Sequence, residues 1–121
     1  MRPHEKLDIW KLSIDLVVEI YSLTQAFPYE ERRGLQSQIR RAAVSIPANI
    51  AEGAARQSDK EFVRFLHIAQ GSASELETEL LIAKRLGFIC EADFVEKYEK
   101  LNFIARKTIG LIRYLRNKNK S

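Results

Sequence analysis

Apolar residues recur every three or four positions through four long stretches of this chain, and no stretch shows the period-two alternation of a half-buried strand. Four helices are the expected elements. The most informative stretch is Gln38 to Gly53, QIRRAAVSIPANIAEG. On a helix turning about 100° per residue, Leu35, Ile39, Ala42, Ile46, Ile50 and Gly53 share one narrow stripe, an ordinary core face. Val44, Ala48, Ala51 and Ala55 fall roughly opposite, where the solvent side of a bundle helix is normally charged. With Pro47 they make a second apolar side, which a further copy of the chain is expected to cover. Between the two sides runs a polar seam of Gln38, Arg41, Ser45, Asn49, Glu52 and Arg56, whose i,i+4 neighbours can bond along the helix.

Pro47 lacks a backbone donor and costs about 3 kcal/mol in a regular helix interior, so two short helices are one reading. The apolar stripe crosses it without changing phase, which favours a single helix kinked at Pro47. The first helix is expected from an Asp8 N-cap to about Ala26, with Ile9, Leu12, Leu16, Ile20, Leu23 and Phe27 inward. Trp10, Ile14, Val17 and Tyr21 form its second stripe, and Trp10 and Tyr21 join the candidate oligomer interface. Pro28-Tyr29-Glu30-Glu31 turns the chain and starts the second helix with acids in its first turn. Ser58-Asp59-Lys60-Glu61 reads as a capping box that opens the third helix. That helix runs to about Leu86, with Phe62, Phe65, Leu66, Ala69, Ala73, Leu76, Leu80 and Ala83 toward the core. Its thin middle, Gly71 to Ser74, is read as a point of close helix approach in preference to a ligand site. Gly87 is the expected C-cap and Asp93 or Glu91 the next N-cap. Phe94, Tyr98, Leu101, Ala105, Thr108, Ile112 and Leu115 then face inward on the fourth helix. The sum is an all-α, up-down antiparallel four-helix bundle, one domain over residues 1–121, frayed at 1–7 and 117–121.

QIRRAAVSIPANIAEG, followed by a polar break and EFVRFLHIAQGSASELETEL, resembles the four-helix-bundle family named after proteins encoded in intervening sequences of bacterial 23S rRNA genes. The similarity extends from Leu7-Asp8-Ile9-Trp10 to the last basic helix. The resemblance implies an up-down bundle that assembles as a ring, a homopentamer. A related branch includes basic accessory proteins of diversity-generating retroelements, which work with a reverse transcriptase and nucleic acid. Fold and assembly follow from the resemblance more directly than a biochemical role does.

A chain of 121 residues with 45% hydrophobic and 30% charged residues can bury a core without disulfides or metal. Its single cysteine, Cys90, and the lack of a signal-peptide pattern point to a cytoplasmic protein. The net charge of +4 is unevenly spread. Residues 88–121 hold eight bases against four acids, and Arg106 to Lys120 holds six bases and no acid. Such a stripe attracts polyanions, although bases near a helix C-terminus also complement its dipole.

Enzymatic chemistry finds little support. No glutamate is followed three residues later by histidine, as a di-iron bundle requires, and His67 has no ligand-type neighbour one turn away. No metal site is therefore expected. Cys90 has no nearby base, Ser45 has none either, and Glu75, Glu77 and Glu79 read as a solvated face. The five glycines are too dispersed for a phosphate loop, and no cofactor or small-molecule substrate is implied.

The expected function is that of a non-enzymatic homo-oligomer that binds RNA, or a nucleic-acid–protein complex such as one with a reverse transcriptase. Candidate nucleic-acid contacts are Arg32, Arg33, Arg40, Arg106, Lys107, Arg113 and Arg116. Phe103 and Tyr114 can stack on bases, with subunit contact the preferred use. The alternative is a scaffold or protein-interaction module with no nucleic acid.

Overall fold

The structure is a computed structural model and describes residues 2–119. It contains α1 (Asp8–Thr24), α2 (Leu35–Ala54), α3 (Asp59–Arg85) and α4 (Glu91–Lys118), with short 3-10 turns at Pro3–Lys6 and Tyr29–Glu31. Helix α2 packs on α1 and α3, and α4 packs on α3 and α1, so consecutive helices are neighbours and the ring of contacts closes. Ile20, Ile39, Ile46, Ile50, Leu66, Leu76 and Leu80 fill the axis. Burial of each such side chain is worth about 1.5–3 kcal/mol before conformational entropy is charged against it. The Phe27 and Phe88 rings, 5.4 Å apart, lie over one end.

The two threonine hydroxyls that enter this core find partners on their own helix. The Thr24 hydroxyl donates to the Ile20 carbonyl and the Thr108 hydroxyl to that of Ile104, each at 2.8 Å, so both burials are satisfied. Helix α2 passes through Pro47 as one element, and Pro47 itself is buried. Its place in the outer stripe is therefore corrected. Gln36, Arg40, Ala43 and Pro47 share a stripe on α2, and Gln36 and Arg40 bond to Thr24 and Tyr21, so this flank faces α1.

The helix ends also differ from the pattern-based expectation in places. Leu7 occupies the N-cap of α1, with Asp8 inside the first turn. Tyr29–Glu31 forms a separate turn, and α2 begins only after Gly34, where the Glu31 carboxylate accepts from the Leu35 amide at 3.0 Å. Ser58 caps α3 by accepting from the Glu61 amide at 3.1 Å. Cys90 caps α4: its sulfur accepts from the Asp93 amide at 3.5 Å, a role that neither Glu91 nor Asp93 takes. Gly87, at φ +82°, ends α3 in a Schellman motif, with Phe88 N–H on the Ala83 carbonyl and Gly87 N–H on that of Lys84.

The stretches 1–7 and 117–121, expected to fray, contain helical turns where they are described. Pro3–Lys6 makes a 3-10 turn against α2, and α4 continues to Lys118. Met1, Lys120 and Ser121 lie outside the described residues. No helix among the described residues is long and apolar enough to cross a membrane.

Candidate assembly and polyanion surfaces

The outer side of α1 and α2 is apolar and open in the single chain. Val18 is 65% exposed, Val44 41% and Ile14 38%, with Ala48 and Ala55 also exposed and Ala51 half-buried. Tyr21 is exposed too, its ring covered by the Arg40 guanidinium 4.4 Å from the centroid. Trp10, expected at the interface, is half-buried and packs in part against the chain's own core, with the His4 ring against it at 4.8 Å. The polar seam of α2 turns toward α3. Ser45 and Ser72 meet through their hydroxyls at 2.8 Å, Asn49 donates to the Ser45 carbonyl and hydroxyl, and Arg56 pairs with Glu52. Gln38 is exposed at the seam's start.

Small residues bring α2 and α3 together at two places: within the expected stretch through Ser72, which meets Ser45, and further along at Gly53. Gly71 has open space where a side chain would stand. At Gly53 a Cβ would lie 2.7 Å from the Phe65 Cβ and 3.2 Å from the Phe62 carbonyl oxygen, so the helix backbones approach closely here.

The candidate basic residues separate into three groups. Arg106 and Arg113 are exposed on α4 with no carboxylate within 4.0 Å among the described residues. They flank Phe103, Gly110 and Tyr114, all exposed, and Lys107 reaches over the Phe103 ring and to Asp8 at 3.7 Å. Arg116 is engaged with His67, Nη2 to Nε2 at 3.0 Å. Arg32, Arg40 and Arg41 come together in a cleft between α1 and α2, whereas Arg33 is exposed beside them near Tyr29 and Glu30. Arg40 is fixed there: its Nε donates to the Thr24 hydroxyl at 2.9 Å and its Nη2 to the Tyr21 carbonyl at 3.1 Å. Arg41, expected in the polar seam, instead lines this cleft and makes no hydrogen bond to the seam's residues among the described ones.

Two buried charges escaped the pattern reading. Lys97 ties α4 to α1, its ammonium 2.8 Å from Glu19 and 2.6 Å from Glu96, while Lys100 also reaches Glu19 at 2.6 Å. Burial opposes the charge on both Glu19 and Lys97. Hydrogen bonds from Lys100 and Lys97 nevertheless hold the Glu19 carboxyl below its ordinary range, and those to Glu19 and Glu96 hold Lys97 above its own. Tyr98, expected inward, is exposed instead. Glu79, expected on a solvated face, is 7% exposed, and its Oε1 has no hydrogen-bond partner. Burial pushes its carboxyl up to about 7, with the Glu75 charge and hydrogen bond adding to the shift. A signal was present for both: Lys97 lies four residues before Leu101, and Glu79 lies between Leu76 and Ala83 at core spacing.

Among the described residues, no group of three or more His, Cys, Asp or Glu side chains is placed to hold a metal ion. Fold and surfaces together define a helical bundle with an open apolar side and separate basic faces. The sequence profile described as 23S rRNA-intervening sequence protein matches residues 5–110. The chain belongs to that family. A similar solved structure is the 1.70 Å crystal structure of a protein of unknown function from the S23 ribosomal protein family of Bacteroides thetaiotaomicron VPI-5482. It is 26% identical, with a TM-score of 0.78 over 86% of this chain and 97% of the other. No curated protein matches the chain.

Proposed function

We propose that the chain is a non-enzymatic, cytoplasmic RNA-binding protein that works as a ring of copies closed through the outer side of α1 and α2. The observation that carries the RNA reading is the outward stripe of α4. It presents Phe103, Arg106, Lys107, Gly110, Arg113 and Tyr114 together, and from Arg106 to the end of the helix it has no acid. Aromatic faces beside guanidinium groups suit single-stranded RNA, whose bases stack while its phosphates pair with cations. Repetition of this stripe around a symmetry axis strengthens the field on a polyanion. Five copies is the number the family resemblance supports, and Val18, Val44 and Ala48 supply the apolar surface for closure. The free, exposed Cys90 accords with a reducing compartment.

A filter-binding titration of structured and single-stranded RNA against potassium chloride tests this. Binding is expected at low salt with affinity falling steeply as salt rises, and Arg106→Glu with Arg113→Glu should abolish it. No retention at low salt, or retention untouched by that double variant, overturns the RNA reading. The open apolar side favours one second reading, a scaffold for another protein. Recovery of a single protein partner after nuclease treatment, with no RNA retained, selects it.

A further inference from the structure

The α1–α2 cleft borders the outer apolar side, Val44 lining it too, yet its three arginines serve neither apolar closure nor the α4 stripe. It has a volume of about 460 Å³ and is lined by Arg32, Arg40 and Arg41 with Tyr21, Gln36 and Ser37 among its walls. No acid lines it, and no carboxylate lies within 4.0 Å of these three guanidinium groups among the described residues. Like charges that share one concavity repel one another wherever they approach within a Debye length, about 8 Å at physiological salt. An anion in the cleft removes that repulsion.

The walls are also held in place. Thr24, fully buried, donates its hydroxyl proton to the Ile20 carbonyl and accepts from Arg40 Nε, while its own carbonyl accepts from Gln36 Nε2 at 2.7 Å. Arg40 thus sits over the Tyr21 ring with two of its five N–H groups used and three not engaged by the described residues. A guanidinium fixed in this way loses little freedom on binding. Arg32, whose guanidinium rests 5.2 Å from the Tyr29 ring centroid, and Arg41 are exposed arms on either side.

We propose that this cleft is a binding site for a phosphate monoester, with Arg40 the fixed clamp and Arg32 and Arg41 the arms that close on it. A monoester at neutral pH carries a charge of about −1.5 to −2 on three acceptor oxygens, which suits three guanidinium-bearing side chains lining one cleft. An internal phosphodiester offers one charge and two free oxygens, a poorer match. The ligand is a nucleoside 5′-monophosphate or the 5′-phosphorylated end of an RNA strand; the two share the group recognised. The site stands apart from the α4 stripe, so it does not depend on the RNA reading above.

The test uses the full chain, adenosine 5′-monophosphate, and one short RNA in 5′-phosphorylated and 5′-hydroxyl forms, titrated calorimetrically at fixed salt. The phosphorylated RNA or the mononucleotide is expected to bind, with the phosphorylated strand at least about tenfold tighter than its hydroxyl counterpart if a strand end is the ligand. Arg32→Gln with Arg41→Gln should erase that binding or that ratio while the circular dichroism spectrum and melting temperature stay unchanged. Arg106→Gln with Arg113→Gln should weaken both RNA forms alike and leave the ratio intact. Mononucleotide binding without any RNA retention sinks the RNA reading and keeps this one. Equal affinity for the two RNA forms with no mononucleotide binding overturns the proposal, as does a preference that survives the Arg32/Arg41 pair. An oligomer that falls apart in that pair while no phosphate binds also overturns it, because the cleft then belongs to a subunit junction.

Discussion

Helices α2 and α3 are joined by proximity, helices α1 and α4 by reach. Across the first junction the residues are small: Gly53 lies against Phe62 and Phe65, and Ser45 touches Ser72. Across the second, Lys97 and Lys100 extend to one carboxylate, Glu19, and Lys107 approaches Asp8. A junction made by close contact is sensitive to volume, since interiors are packed at crystal density. One made by long charged side chains tolerates volume and responds to pH and salt. The same bundle therefore has a steric side and an electrostatic side.

The largest effect should come from filling the close contact. Gly53→Val drives a side chain into the Phe65 Cβ and the Phe62 carbonyl, and is expected to cost about 3 kcal/mol or more in chemical denaturation. A variant as stable as the parent would break the comparison at its root.

Next comes Glu79, two turns along α3 from Ser72 on the same face. Its folded pKa lies above the ordinary value of 4.5, so the native state holds the extra proton between there and about 7. Stability is fully present below that window and is lost as pH rises through it. Glu79→Gln should therefore stabilise the protein at pH 8 by about 2 kcal/mol, solvent screening reducing the full shift, and have no such effect near pH 4. Melting curves across that range read it directly, and a pH-independent difference would rule out titration as the cause.

The electrostatic junction should respond less. Glu19→Gln leaves Lys97 buried with Glu96 alone and is expected to cost about 1–2 kcal/mol at neutral pH. Because the Glu19 pKa is lowered by folding, its contribution is present above the unfolded value and lost as pH falls through the folded one. Parent and variant should thus converge in acid, and partly in high salt, when urea midpoints are compared. The smallest change, Ser58→Ala, removes the hydroxyl that accepts from the Glu61 amide and should cost about 1 kcal/mol at every pH. It touches neither junction, so a pH-dependent loss would show that the two sides are not separable.

The four helices, their core stripes and the caps at Ser58 and Gly87 were legible in the sequence. Each depends on interactions within a few residues, governed by a fixed rise and turn per residue and by local backbone chemistry. The second apolar side of α2 was legible for the same reason. Its edge was not: Pro47 is placed by which neighbour lies across that flank, and periodicity does not name the neighbour.

The same division runs through the candidate surfaces. The basic run of α4 is contiguous in sequence, and Arg106 and Arg113 could be named from it alone. Arg41 reads as a seam residue in the sequence, whereas in the fold it lines one cleft with Arg32 and Arg40, with Tyr21 of α1 on the other wall. Glu19 and Lys97 are seventy-eight positions apart, and only the packing of α4 on α1 brings them within hydrogen-bond reach. Sequence by itself determined what each helix offers on each face, since local geometry sets the face. The tertiary structure decided which faces meet, because a contact between distant helices depends on how whole helices pack and not on any short stretch of chain.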